Sequence, residues 1–182
     1  MVNQSLVVIG AGSLPELSMR NGVQSLADGL SLPLCTVATG ETPDRALERI
    51  VAAEPSLVRL AGDPGRLDHQ GRSWIEALGA WRMPALMLGA PLGDGAIPGA
   101  VPAFLALCQQ HRVPLVGLVQ LGGAWRPMER RLDGLPWLGW LAEIAPDCAE
   151  NSQRLDQVMA LVAQRLSGFS SALATGQSPH QS

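Results

Sequence analysis

Six short apolar runs constrain the fold of this chain more than any other feature of its sequence, because none of them alternates regularly between apolar and polar residues. Uninterrupted runs of this kind are typical of strands buried on both faces, as in parallel sheets covered by helices. Four of the runs begin with an X-Pro step, and proline ends a preceding helix while holding the residue before it extended. The predicted strands are residues 6–10, 33–38, 56–62, 84–89, 114–121 and 136–141.

Helix-length segments separate these runs, as expected of right-handed strand–helix–strand crossovers in a parallel sheet. A helix over 43–53 is predicted to begin after Thr42, a residue type that caps helices, with Pro43 in its first turn. Further helices are predicted over residues 71–81, 99–112 and 155–166. The predicted fold class is α/β, with a mainly parallel sheet flanked by helices.

Size, charge and the absence of long apolar stretches exclude several classes of protein. The chain has 182 residues, and we expect one domain over 1–168 and a flexible polar tail over 169–182. A net charge of −3 without a basic run argues against nucleic acid as a partner. No apolar stretch approaches the ~20 residues that span a bilayer, and the first residues lack the features of a signal peptide. We therefore expect a cytoplasmic protein with no membrane partner.

Residue types that usually carry chemistry are scarce. All thirteen basic residues are arginine, which removes the lysine that commonly grips phosphate or forms a Schiff base. Cys35, Cys108 and Cys148 lie far apart without a CxxC motif, and we expect them to be buried and reduced. His69 and His111 are expected to be solvated surface residues. We assign no catalytic residue and no metal ligand.

The turn after the first predicted strand is rich in glycine, and it stands where α/β proteins often bind phosphate. It has the sequence Gly10-Ala11-Gly12-Ser13-Leu14-Pro15-Glu16. The dinucleotide pattern GxGxxG fails at proline, and the P-loop ending GK[ST] is absent. Two interpretations remain: a tight structural turn, or a degenerate loop in which Gly10, Gly12 and Ser13 bind a small anionic ligand.

Aspartates follow two other predicted strands at the same edge of the sheet. Asp63, Asp68 and Asp94 carry oxygen ligands of the kind that Mg²⁺ prefers. Aspartate is also a common turn residue, because its carboxylate accepts hydrogen bonds from nearby backbone N–H groups. The turn interpretation is favoured.

Two tryptophans, Trp74 and Trp81, are seven residues apart on one predicted helix. This spacing is about two turns, so both side chains and those of Ala77 and Leu78 should lie on nearly the same face. Either this face contacts a second subunit, or both tryptophans cover the edge of the sheet.

The order of these motifs resembles that of dethiobiotin synthetases, which have a P-loop NTPase fold. The segments LVRLAGDPG, GRSWIEALGAWRMPALML, GAPLGDGAIPGAVPAFLALCQQHRVPLVGLVQL and LPWLGWL follow the family's second half in order and spacing. More weakly, VVIGAGSLPELS stands where the family has its P-loop, and CTVATG resembles its Lys-Pro-Val-x-Thr-Gly element. The resemblance implies a homodimer acting in biotin biosynthesis, with ATP and Mg²⁺ as cofactors, and adds Thr39 and Gly40 to the cofactor-binding candidates.

The chain departs from that family where the family binds nucleotide and metal. Leu17 and Ser18 are nearest to its P-loop Lys-Thr pair, Cys35 replaces the lysine of the second element, and Leu121 replaces an asparagine. Arg59 stands where the resemblance places a metal-binding glutamate.

These losses affect most of the groups that would hold phosphate and Mg²⁺. We therefore expect a non-catalytic binding or regulatory domain. In that domain Arg59 would repel Mg²⁺ and pair with a carboxylate such as Asp63. The alternatives are a divergent active synthetase, in which arginine replaces lysine, and an unrelated enzyme using the same crevice.

Overall fold

The computed structural model of the protein describes residues 4–12, 14–38, 40–142 and 149–175. Strands and helices alternate along them. The strands are β1 (Leu6–Gly10), β2 (Leu34–Ala38), β3 (Leu57–Ala61), β4 (Ala85–Gly89), β5 (Leu115–Leu121) and β6 (Trp137–Leu141). The helices are α1 (Glu16–Leu30), α2 (Pro43–Ala52), α3 (Trp74–Ala80), α4 (Ala100–Gln110), α5 (Pro127–Leu132) and α6 (Ala149–Thr175).

The six strands form one sheet in the order β2-β3-β1-β4-β5-β6, and every neighbouring pair is parallel. Each apolar run predicted as a strand contains one of them, so the α/β prediction is confirmed. Helices cover both faces. The side chains of α1 and α6 pack on one face against residues such as Leu6 and Leu57. Those of α2, α3 and α4 pack on the other face against residues such as Val7 and Val58.

The helices differ from the prediction in ways that have local causes. Helix α2 begins at Pro43 as predicted, although the Thr42 side chain makes no capping hydrogen bond. Helix α3 begins later than predicted, because Ser73 is its cap and accepts a hydrogen bond of 3.1 Å from the Glu76 N–H. Helix α6 continues through Gly168 to Thr175, into the segment assigned to the tail. Helices α1 and α5 were not predicted.

The edge strand β2 corrects the expectation that every strand is buried on both faces. Cys35, Thr36 and Ala38 are exposed in this strand, which lies at the end of the sheet next to β3. The prediction that Cys35 is buried is therefore wrong, whereas Cys108 is buried as predicted. Cys148 lies outside the described residues.

The tryptophan face of α3 belongs to the core of this chain. Trp74 is 1 % exposed, and Ala77 and Leu78 are fully buried in the layer formed by α2, α3 and α4. Trp81, at the end of the helix, is 38 % exposed, and its Nε1 donates a hydrogen bond of 2.7 Å to Asp44. The face predicted as a possible subunit contact is therefore used within the chain. Within the described residues, no helix has the length and apolar character to cross a bilayer.

Candidate functional site

At the carboxyl end of β1, the connections that follow neighbouring strands run to opposite faces of the sheet. Helix α1, which follows β1, packs on one face, whereas α3 and α4, which follow the two flanking strands, pack on the other. Crevices open at such switch points of α/β sheets, and ligands bind there. Among the described residues, one crevice opens between β1 and β3 and another between β1 and β4.

The β1–β3 crevice has a volume of about 400 Å³ and contains both acidic and apolar groups. Its lining includes Gly10, Leu14, Glu16, Asp63 and Phe104. The only charged side chains among its described lining residues are therefore carboxylates. This composition is unsuited to a phosphate, whose negative charge requires cations or free N–H groups.

The loop between β1 and α1 uses several of its own hydrogen-bonding groups. The Ala11 N–H donates to the Leu88 carbonyl over 2.8 Å, and the Leu14 N–H donates to the Gly12 carbonyl over 3.1 Å. Pro15 has no N–H to offer. The Leu14 side chain lies against Gly10, where an added Cβ would be 3.0 Å from Leu14 Cδ1. These contacts support the interpretation as a structural turn.

The five predicted cofactor-binding residues do not all come together. Gly10 and Gly12 line the β1–β3 crevice, and Gly12 also lines the crevice on the other side of β1. Gly40 is exposed after the edge strand and is not among the described residues lining either crevice. Ser13 and Thr39 lie outside the described residues.

A buried arginine pairs with Glu16 beside the β1–β3 crevice. Arg59 is 6 % exposed, and its Nη1 donates a hydrogen bond of 2.6 Å to Glu16 Oε1. The same oxygen accepts from Arg20 over 3.3 Å. The hydrogen bond from Arg59 lowers the pKa of the Glu16 carboxyl below its usual value. Arg59 therefore pairs with a carboxylate as expected, but the partner is Glu16 and not Asp63, because Arg59 lies on the face of β3 that α1 covers.

The three aspartates considered for Mg²⁺ act as turn residues. Asp63 accepts a hydrogen bond of 2.8 Å from the Gly65 N–H, and Asp94 accepts one of 2.9 Å from the Ala96 N–H. Asp68 accepts from the N–H groups of Gln70 and Arg72, and the bond from Arg72 lowers the pKa of its carboxyl. Across the described part of the chain, no group of three or more histidine, cysteine or acidic residues could hold a metal ion.

The β1–β4 crevice lies on the opposite side of β1 and has a volume of about 470 Å³. Ala11 and Leu121 line it at the ends of β1 and β5, and Pro91, Leu92 and Pro98 line it from the loop before α4. None of the described residues that line it carries a charge. The two crevices therefore share a loop but differ in chemistry.

A buried polar network that the sequence did not reveal holds the loops beside the β1–β4 crevice. Gln120 is fully buried; its Nε2 donates to the Gly122 carbonyl over 2.8 Å, and its Oε1 accepts from Arg130 Nε over 2.9 Å. Arg130 Nη2 donates to the Gly95 carbonyl over 2.7 Å. The network thus joins the loops that follow β4 and β5. The sequence feature that could have indicated this network is Gln120, a polar residue inside an apolar run.

Four further residues that the sequence analysis singled out lie away from the β1–β3 crevice. Leu121 and Cys108 are buried, whereas His69 lies in a loop and His111 at a helix end. Leu121 packs against Gly22 of α1, where an added Cβ would be 2.7 Å from Leu121 Cδ1. Burial raises the pKa of the Cys108 thiol to about 11, so this thiol is protonated at neutral pH. His69 is exposed, as predicted, and His111 is half-buried at the end of α4. None of these residues lines the β1–β3 crevice.

No model of a known protein family matches this chain, and no curated protein matches it either.

Proposed function

We propose that this chain is a non-catalytic, dethiobiotin synthetase-like binding domain in which structural contacts replace the ATP and Mg²⁺ site. The observation that carries the proposal is the ion pair between Arg59 and Glu16. The resemblance puts a metal-binding carboxylate at position 59, where an arginine instead faces the first turn of α1. A guanidinium at this position repels a divalent cation.

The P-loop lysine of the family that the chain resembles has no counterpart among the described residues of the same region. Catalysis of this reaction depends on cations around the phosphates and on Mg²⁺ between them. Leu17 is 67 % exposed near the position of the P-loop lysine, and the chain contains no lysine to replace it. Glu16 adds negative charge beside Gly10 and Gly12, which together with the internal hydrogen bonds of the loop disfavours a polyphosphate.

The divergent active synthetase receives less support. That alternative needs an arginine that can reach a phosphate, and Arg59 already donates to Glu16. The homodimer implied by the resemblance remains part of the proposal. Its contact must lie elsewhere than the Trp74 face of α3, because that face is buried in the core of the chain.

Calorimetry with Mg-ATP tests the proposal. We expect a dissociation constant weaker than millimolar and no Mg²⁺-dependent hydrolysis, because no cation of the described loop is available for the β- and γ-phosphates. A Glu16→Ala variant sharpens the test by removing the carboxylate that pairs with Arg59. If the wild type binds Mg-ATP with micromolar affinity, the proposal is wrong. If only the variant does, the site is blocked rather than lost, and the proposal is equally wrong.

A further inference from the structure

The β1–β4 crevice has the size of a small-molecule site. Its volume of about 470 Å³ lies within the range of roughly 300–1,000 Å³ that is usual for such sites. The volume is therefore sufficient for a small molecule.

The lining of this crevice selects for an uncharged ligand. Its walls include Pro91, Leu92, Pro98 and Leu121, and Ser18 carries the one polar side chain among the described lining residues. An apolar ligand gains free energy by leaving water here and leaves no charged group of the crevice desolvated.

Close packing holds the walls of the crevice in place before any ligand arrives. Gly123 has a φ of +63°, and an added Cβ there would lie 2.5 Å from Pro91 Cγ. The Leu92 N–H donates to the Ala96 carbonyl over 2.8 Å. A preformed crevice reduces the ordering cost that binding must overcome.

We propose that the β1–β4 crevice binds one neutral, mainly apolar small molecule. This inference rests on the proposed function, since it names the ligand class of the binding domain. The inference also accounts for the uncharged lining. A crevice is retained at the switch point of the sheet, but its ligand is not a polyanion, so no charged side chain is needed to bind it.

Titration of the ¹⁵N-labelled protein with indole, a neutral aromatic with one N–H donor, tests the inference by NMR. We expect saturable shifts confined to amides of the crevice, including Gly12, Ala100 and Gly123. Tripolyphosphate, as the polyanion probe, should leave these amides unmoved. Shifts scattered over the surface, no saturation within the solubility of indole, or tripolyphosphate shifts at the same amides would overturn the inference.

Two exposed leucines provide a matched pair of variants. Leu92 lines the crevice and is 53 % exposed, whereas Leu132 on α5 is 84 % exposed and does not line it. Leu92→Asp places a charge against the ligand and should weaken indole binding at least about tenfold, since charge burial is costly. Leu132→Asp should leave the affinity unchanged, and equal effects of the two variants would contradict the proposal.

The two proposals fail in distinguishable ways. If neither indole nor Mg-ATP binds, the crevice inference is wrong and the non-catalytic assignment stands. If Mg-ATP binds with micromolar affinity, the non-catalytic assignment is wrong, and the Leu92 and Leu132 variants still decide what the crevice binds.

Discussion

The two crevices beside β1 have equivalent positions in the fold, but only one of them is lined by charged side chains among the described residues. On the β3 side, Glu16 and Asp63 line the crevice, and a buried guanidinium pairs with Glu16. On the β4 side, prolines, alanines and leucines line a crevice of similar size. The comparison shows that the switch point of a parallel sheet determines where a crevice forms. The side chains on each flank decide what that crevice can bind.

The largest effect on stability should come from a substitution in the wall of the β1–β4 crevice, which tests whether close packing holds that wall in place. Gly123→Ala adds a Cβ 2.5 Å from Pro91 Cγ, at a residue with a φ of +63°. Backbone strain and overpacking together should lower the free energy of unfolding by about 3 kcal/mol. Urea unfolding measures this change.

Gly134→Ala is the matched control for that substitution. Gly134 has a φ of +68°, but its Cβ would have no neighbour within 4 Å. It should cost only the backbone strain, about 1 kcal/mol. If both variants lose the same free energy, the contact between Gly123 and Pro91 contributes nothing, and the apolar crevice is not preformed by it.

The charged side is tested by an uncharged replacement of Glu16. Glu16→Gln leaves Arg59 buried beside a weaker acceptor and should cost about 1–2 kcal/mol of unfolding free energy. This is less than the roughly 3–5 kcal/mol of a fully buried pair, because solvent screens the half-exposed Glu16. The control is Glu129→Gln, whose partner Arg126 is 3.1 Å away in an exposed pair, and its cost should stay below about 0.5 kcal/mol. Equal costs would mean that burial of Arg59 adds nothing.

The pH dependence of the Glu16 effect is the smallest and most specific expectation. Arg59 lowers the pKa of Glu16 in the folded state from its ordinary value of 4.5. The pair therefore contributes its full stability well above pH 4.5, and this contribution is lost as the pH falls through 4.5 and then through the lower folded pKa.

The difference in unfolding free energy between wild type and Glu16→Gln should thus be constant from pH 7 to about pH 5.5 and then shrink under more acidic conditions. Urea unfolding of both proteins at neutral pH and under these more acidic conditions measures the difference. A difference that grows as the pH falls would contradict the assigned direction of the pKa shift.

The sequence by itself determined the class of fold and the places where strands begin. Apolar runs such as 84–89 are local signals, and the proline before each of four strands acts on its immediate neighbours. The turn role of Asp63 and Asp94 was likewise predictable, because each accepts a hydrogen bond from an N–H two residues along the chain. Helix α1 also had a signal, in Met19, Val23 and Leu26 at helical spacing.

The tertiary structure alone decided the partners that are distant in sequence. Arg59 meets Glu16 because β3 lies beside β1 and turns that side chain towards α1, a consequence of strand order that no local pattern encodes. For the same reason β2 is an exposed edge, although its residues read like those of a central strand. Side-chain alternation fixes which residues share a face of a strand, but only packing decides which faces are covered. The difference between the two crevices beside β1 depends on that packing.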